Sequence, residues 1–208
     1  MLLRDTRAQR LLLRIAVLTM LAAVALAYTP GLSGGFMFDD ITNIVMNPFL
    51  ALDHLGVHEM LRAAFSVRSG PLYRPISMLS FALNLYFFGP HPFSFKLVNV
   101  VIHLANALLL LWLTRRLLIN CRRRYGFDWS SGTLNWASLL IAAAWALHPL
   151  NLTAVLYIVQ RMTSLAALCT LAAMLAYVYG RERSLAGKRG WPLVWLLTPV
   201  FGMIGLLC

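Results

Sequence analysis

Long apolar runs are the feature that most limits what this chain can fold into. A helix needs roughly 20 apolar residues to cross the ~30 Å hydrocarbon core of a bilayer. The 208-residue sequence contains five largely uncharged stretches, at about 11–28, 95–114, 132–148, 160–179 and 191–208. We therefore predict an all-α fold: a polytopic bundle of about five transmembrane helices, with one long outer loop, 29–92, between the first two.

The placement of the charged residues predicts how this bundle is oriented. The chain has 18 Lys and Arg residues against 7 Asp and Glu residues, a formal net charge of +11. Such an excess can indicate nucleic-acid binding, but most of these cations flank the predicted spans. By the positive-inside rule they are cytoplasmic, which places the N-terminus inside and needs no nucleic-acid partner. The cytoplasmic set is Arg4, Arg7, Arg10, Arg14, Arg115, Arg116, Arg122, Arg123, Arg124, Arg181, Arg183, Lys188 and Arg189.

A sixth apolar segment, Ile76–Phe88, is interpreted as a helix that does not span. If it crossed the membrane, the group of five arginines after the second span would lie outside. Ser77, Ser80 and Asn84 also place one polar stripe on this segment, which is typical of a helix in the membrane interface. Residues 25–27 (Ala-Leu-Ala) fit a signal-peptide cleavage site, but we expect the first span to be retained.

Two adjacent carboxylates, Asp39 and Asp40, follow the first span on the predicted outer side. Such a pair can act as a general base or bind a cation, and repulsion between like charges raises one pKa. The alternative is a solvated turn or a helix cap, where Asp is also common. Whether a divalent metal is bound stays open from the sequence.

The second predicted span carries four polar residues on one helical face: Lys96, Asn99, His103 and Asn106. Their spacing of three and four residues places them one above another. This stripe must face a neighbouring helix or a wet cavity rather than lipid. It can therefore belong to a site, or simply hold helices together by hydrogen bonds.

Three further residues reach the predicted outer face: Arg74, His148 and Arg161. An arginine there can bind a lipid phosphate or can anchor its helix in the interface. His148 can equally be a water-facing residue at a helix end. Because carboxylates, imidazoles and cations from separate segments meet at one face, we expect transfer chemistry on a lipid-linked phosphate, with a carboxylate as base and Lys96 and the arginines stabilising the leaving phosphate.

Six short motifs occur in order along the chain. They read FMFDD at 36–40, LYRPIS at 72–77, FGPHPFSFKLVN at 88–99, VIHLANAL at 101–108, ALHP at 146–149 and LYIVQRMTSL at 156–165. This series resembles the membrane part of GT-C glycosyltransferases, and within them bacterial relatives of the transmembrane, tetratricopeptide-repeat-containing O-mannosyltransferases.

The resemblance implies a polyprenyl-phosphate sugar donor and an acceptor protein or glycan, handled on the periplasmic side of a bacterial inner membrane. It implies Asp39 as the general base, with Asp40 supporting it or positioning the substrate. Arg74, His103, His148 and Arg161 also fall on motif positions, which implies phosphate or sugar binding. No cofactor other than this donor substrate is implied.

The family's enzymes have more spans and commonly a soluble repeat region. We therefore expect residues 1–208 to correspond to the N-terminal part of a GT-C-type domain. Whether a chain of this length is active alone stays open. Two alternatives stay open: a non-catalytic membrane protein or truncated remnant whose outer polar cluster is structural, and a small transporter that uses the Lys96–Asn106 stripe. No pair of broken helices supports the transporter.

Overall fold

The computed structural model describes residues 7–67 and 73–208, and within them the chain is helical and has no β-strand. The all-α prediction is therefore confirmed. Arg4 of the basic N-terminal group and Leu72 of the 72–77 motif lie outside the described residues. The α-helices of the described part are α1 (Arg7–Tyr28), α2 (Val57–Ala64), α3 (Pro75–Phe88), α4 (Pro92–Tyr125), α5 (Ser131–Ala146), α6 (Asn151–Leu156), α7 (Arg161–Leu185) and α8 (Thr198–Leu206).

Three helical segments in the described residues are long and apolar enough to cross a bilayer: Arg7–Ser33, Pro92–Tyr125 and Ile158–Leu185. They coincide with the first, second and fourth predicted spans, and the chain is a membrane protein. The third predicted span coincides with α5, whose 16 residues extend only about 24 Å. The fifth coincides with a shorter apolar segment, Leu193–Leu206. Five as the number of spans stays a prediction.

Proline and glycine set the corner between α3 and α4. Pro75 and Pro92 stand in the first turns of these helices, where the missing amide hydrogen costs no intrahelical hydrogen bond. Gly89 ends α3 with a φ of 71°, a conformation that glycine adopts without the strain a Cβ imposes. The chain therefore reverses sharply after α3 and begins α4 within a few residues.

Helix α4 packs against both α5 and α7, and α8 packs against α7. One apolar cluster joins α1, α4 and α5, with Val24, Ala107 and Ala142 fully buried. A second joins α3 and the outer loop to the start of α7, around Phe81 and Phe95. Because the loop folds onto this second cluster, the Asp39–Asp40 turn is held beside the residues that precede α7.

The polar stripe of α3 faces the protein and not the membrane interface. Ser77 and Asn84 are buried, and the Ser77 hydroxyl donates to the carbonyl oxygen of Cys208 at 2.9 Å. The stripe that suggested an interfacial helix therefore serves internal hydrogen bonding, so it gives no support for that placement.

Candidate functional site

The Asp39–Asp40 turn separates its two carboxylates. Asp40 is 1% exposed. Its Oδ2 accepts from the Met37 amide at 3.0 Å, and its Oδ1 accepts from the Val159 amide at 2.7 Å. Asp39 is exposed, and its own amide donates to the Tyr157 hydroxyl at 3.0 Å. Asp40 thus ties the turn to the segment before α7 and leaves the Asp39 carboxylate at the surface.

The backbone of this turn is strained just before the acidic pair. Phe38 has a φ of 41°, in the left-handed region that non-glycine residues rarely adopt. The residue is 81% exposed, and its ring meets the Tyr157 ring edge-on. The hydrogen bonds of Asp40 and Tyr157 hold the chain in this conformation, which fixes the direction of Asp39.

Burial raises the pKa of the Asp40 carboxyl above its ordinary value. The amide hydrogen bonds from Met37 and Val159 and the positive charge of Lys96 oppose that rise. Desolvation penalises the ionised form, whereas hydrogen bonds to the carboxylate favour it. The positive charge of Lys96 thus acts on the Asp40 carboxyl in the same direction as these hydrogen bonds.

Lys96 lies in the second turn of α4 and is 3% exposed. Its Nζ donates to the Gly31 carbonyl oxygen at 3.1 Å. The side chain lines a cavity of about 520 Å³ whose walls include Met37, Phe38 and Tyr157. A Cβ at Gly34 would lie 2.6 Å from Nζ, the movable end of the lysine side chain, so glycine leaves room for the ammonium group there. One cation thus stands in a mostly apolar cavity next to the acidic turn.

Arg161, at the start of α7, is completely buried. Its guanidinium donates at 2.8 Å each to the side-chain oxygens of Asn99 and Asn84, and at 2.9 Å to the Phe95 carbonyl oxygen. Nη1 contacts the carbonyl and hydroxyl oxygens of Ser80. Each of the three guanidinium nitrogens therefore donates to protein oxygens, and the phosphate contact of Arg161 stays a prediction.

The rest of the α4 stripe also makes hydrogen bonds between elements. Asn99 donates to the carbonyl oxygens of Val155 and Ile158, at 3.1 and 3.3 Å. The Nε2 of His103 is 2.9 Å from the Ala146 carbonyl oxygen. Asn106 donates to the Ser164 carbonyl oxygen at 3.0 Å. The predicted shared face is confirmed, and these contacts favour helix association over a substrate contact for His103.

Arg74 and His148 have hydrogen-bond partners outside the acidic turn. Nη1 of Arg74 contacts the sulfur of Met162 at 3.3 Å. His148 is exposed, and its Nδ1 accepts from the Leu150 amide at 3.2 Å. Within residues 7–67 and 73–208, no hydrogen bond or ion pair joins either side chain to Asp39, Asp40 or Lys96.

Tyr157 and Phe38 were missed as site residues by the reasoning from sequence. Both lie inside motifs of the resembling family, at 156–165 and 36–40, which was the available signal. In the described part of the chain no three His, Cys, Asp or Glu residues are grouped as metal ligands. The site is thus a carboxylate turn, a lysine cavity and a tyrosine hydroxyl.

Comparison with known proteins finds several protein O-mannosyl-transferases among the relatives of this chain. Protein O-mannosyl-transferase TMTC1 of Mus musculus is 30% identical over 177 residues, which cover 80% of this chain and 17% of the relative. TMTC4 of Mus musculus is 30% identical over 192 residues, 88% of this chain and 26% of the relative. TMTC4 of Homo sapiens is 31% identical over 188 residues, 84% of this chain and 24% of the relative.

These alignments reach across most of this chain, although it spans only about a quarter or less of each relative's length. No family model matches the chain. No solved structure matches it significantly. The aligned lengths and identities nevertheless agree with the motif resemblance, and the chain is related in sequence to the TMTC protein O-mannosyl-transferases.

Proposed function

We propose that this chain is a module of an inverting, GT-C-type membrane glycosyltransferase. It transfers a sugar from a polyprenyl-phosphate donor to a hydroxyl of an acceptor protein or glycan, on the periplasmic face of a bacterial inner membrane. The observation that carries the proposal is that Asp40 is buried while Asp39 is exposed, next to the Lys96 cavity. The relatives' description as protein O-mannosyl-transferases supports it.

In this proposal Asp39 is the general base. Its exposed carboxylate takes the proton of the acceptor hydroxyl as that oxygen attacks the anomeric carbon of the sugar. The bond between that carbon and the phosphate oxygen breaks, and the phosphate leaves as an anion. The Lys96 ammonium stabilises this charge within the apolar cavity, where electrostatic attraction is stronger than in water. Asp40 and Tyr157 position the turn.

The test is sugar transfer in membranes that contain Asp39→Asn. We expect transfer from a polyprenyl-phosphate sugar to fall by about 100-fold or more, because loss of a general base costs 10²–10⁴ in rate. Asp53→Asn is the matched control, since Asp53 is an exposed carboxylate of the same outer loop. If Asp39→Asn transferred sugar as fast as the control, the base assignment would be wrong.

A second candidate function is a non-catalytic membrane protein whose polar cluster is structural. The hydrogen bonds that the buried Arg161 guanidinium donates to protein oxygens favour it. The contacts of Asn99 and His103 with backbone carbonyl oxygens favour it too. Under this alternative, wild-type membranes would transfer no sugar, while Arg161 variants would still lose stability. The same assay, with a melting measurement on each variant, separates the two candidates.

A further inference from the structure

A groove between α1 and α4 lies further along α4 than Lys96, at residues 108–115. It has a volume of about 600 Å³ and receives Arg10 and Arg14 from α1 and Arg115 from α4. Its apolar wall includes Leu18, Leu108 and Trp112. No acidic residue of the described chain lines it. The groove therefore combines concentrated positive charge with an apolar surface.

The arginines of this groove are available to a ligand. Within residues 7–67 and 73–208, none of Arg10, Arg14 and Arg115 forms an ion pair with a carboxylate. Arg10 and Arg14 are exposed. The Nε of Arg115 donates to the Asn135 side-chain oxygen at 2.6 Å, which fixes the guanidinium while its Nη groups have no hydrogen-bond partner among the described residues.

The charged residues and the apolar residues of α1 and α4 lie in different parts of the groove. The groove is lined by residues 10–18 in the first part of α1 and by residues 108–115 of α4. Because Tyr28, at the end of α1, contacts His103, nearer the start of α4, the two helices run in opposite directions along its walls. From Arg115, the wall of α4 continues for seven residues to Leu108, about 10 Å along the helix. Leu18 lies one turn beyond Arg14 on α1. The cations thus stand at one end, and the apolar wall leads away from them along the helix axes.

We propose that this groove binds an anionic phospholipid. The phosphate lies among Arg10, Arg14 and Arg115, and the first part of an acyl chain lies along Leu18 and Leu108. Arginine matches phosphate through paired N–H donors, and basic pockets between membrane helices suit anionic headgroups. Trp112, 54% exposed on the same wall, has the amphipathic ring that favours the headgroup level. Because no residue of the acidic turn takes part, this inference is independent of the proposed function.

The test measures lipid retention by the purified full chain, using native mass spectrometry with phosphatidylglycerol or zwitterionic phosphatidylethanolamine as the probe. We expect tighter binding of phosphatidylglycerol, and a rise of about tenfold or more in its Kd for the double variant Arg10→Gln/Arg14→Gln, because it removes two of the three arginines around the phosphate. The matched control is Arg181→Gln/Lys188→Gln, which removes the same charge from exposed sites outside the groove.

A second variant, Leu18→Trp, fills the apolar wall without changing the charge. We expect it also to raise the Kd for phosphatidylglycerol. Equal binding of the two lipids would overturn the proposal. So would an equal loss in the control double variant, because the binding would then follow net charge rather than the groove.

Discussion

Asp39 and Asp40 are neighbours in sequence with opposite surroundings. Asp40 is enclosed and held by two amides, whereas Asp39 is exposed. The adjacency of two acids was visible in the sequence. Which of them would be buried was not, because that depends on the amides of Met37 and Val159, the latter over a hundred residues away. In the proposed function, the buried Asp40 carboxylate therefore positions the turn and the exposed Asp39 carboxylate is the base.

The buried state of Asp40 predicts a pH dependence of stability. Because burial raises its pKa in the folded protein, the folded state keeps a proton that the unfolded chain has lost. The stability from this group is fully present below the unfolded pKa and is lost as the pH rises through the folded pKa. We expect the melting temperature of the wild type to fall relative to that of Asp40→Asn as the pH rises from about 4.

Thermal melting in detergent across this pH range measures the difference. Asp53→Asn is the control, since it removes an exposed carboxylate from the same loop. Its difference from the wild type should change less with pH. Parallel curves for the wild type and Asp40→Asn would contradict the role of burial.

Among the helices, Arg161 joins α7 to α3 and α4. Its acceptors are the side chain and backbone oxygens of α3 and α4, and its guanidinium lies 4.7 Å from the centre of the Phe81 ring. Few single residues reach three helices. The hydrogen bonds of Arg161 thus hold these helices together, and none of them requires a substrate.

Replacing this arginine by lysine should loosen that packing. A lysine offers three donors to the acceptors that five N–H groups now contact. Arg161→Lys leaves buried oxygens without a partner, so we expect a loss of about 2 kcal/mol, or roughly 4–8 °C in melting temperature. Arg181→Lys, an exposed change on the same helix, should have little effect. If Arg161 instead served only phosphate binding, its variant would melt like this control.

Regular spacing explains which elements were predictable from sequence. The three- and four-residue steps of Lys96, Asn99, His103 and Asn106 placed them on one face, and all four are buried. The same rule placed Ser77, Ser80 and Asn84 together, but spacing alone does not say whether a stripe meets water or a buried arginine. The turn at Phe38 and the contact of Tyr157 with Asp39 depend on tertiary packing, which local patterns do not contain.

For the whole molecule, the charge pattern favours a membrane-spanning α5, whereas the length of α5 does not. The positive-inside rule requires α5 to cross so that Lys188 lies on the same side as Arg123. α5 is only 16 residues long, about 6 Å short of the ~30 Å core. A bilayer can thin around a short helix at modest cost, fractions of a kcal/mol per Å. The energetic cost therefore does not prevent α5 from crossing the membrane, and side-specific labelling can test whether it does.

We expect single cysteines at three positions, introduced after Cys121, Cys169 and Cys208 are replaced by serine, to report the side of the membrane on which each position lies. Asp53→Cys should react with an impermeant maleimide in intact spheroplasts. Arg123→Cys and Lys188→Cys should react only after permeabilisation. If Ile76–Phe88 spanned, Arg123→Cys would react from outside as well. If α5 failed to cross while α7 crossed, Lys188→Cys alone would join Asp53→Cys, because one missing span inverts everything after it.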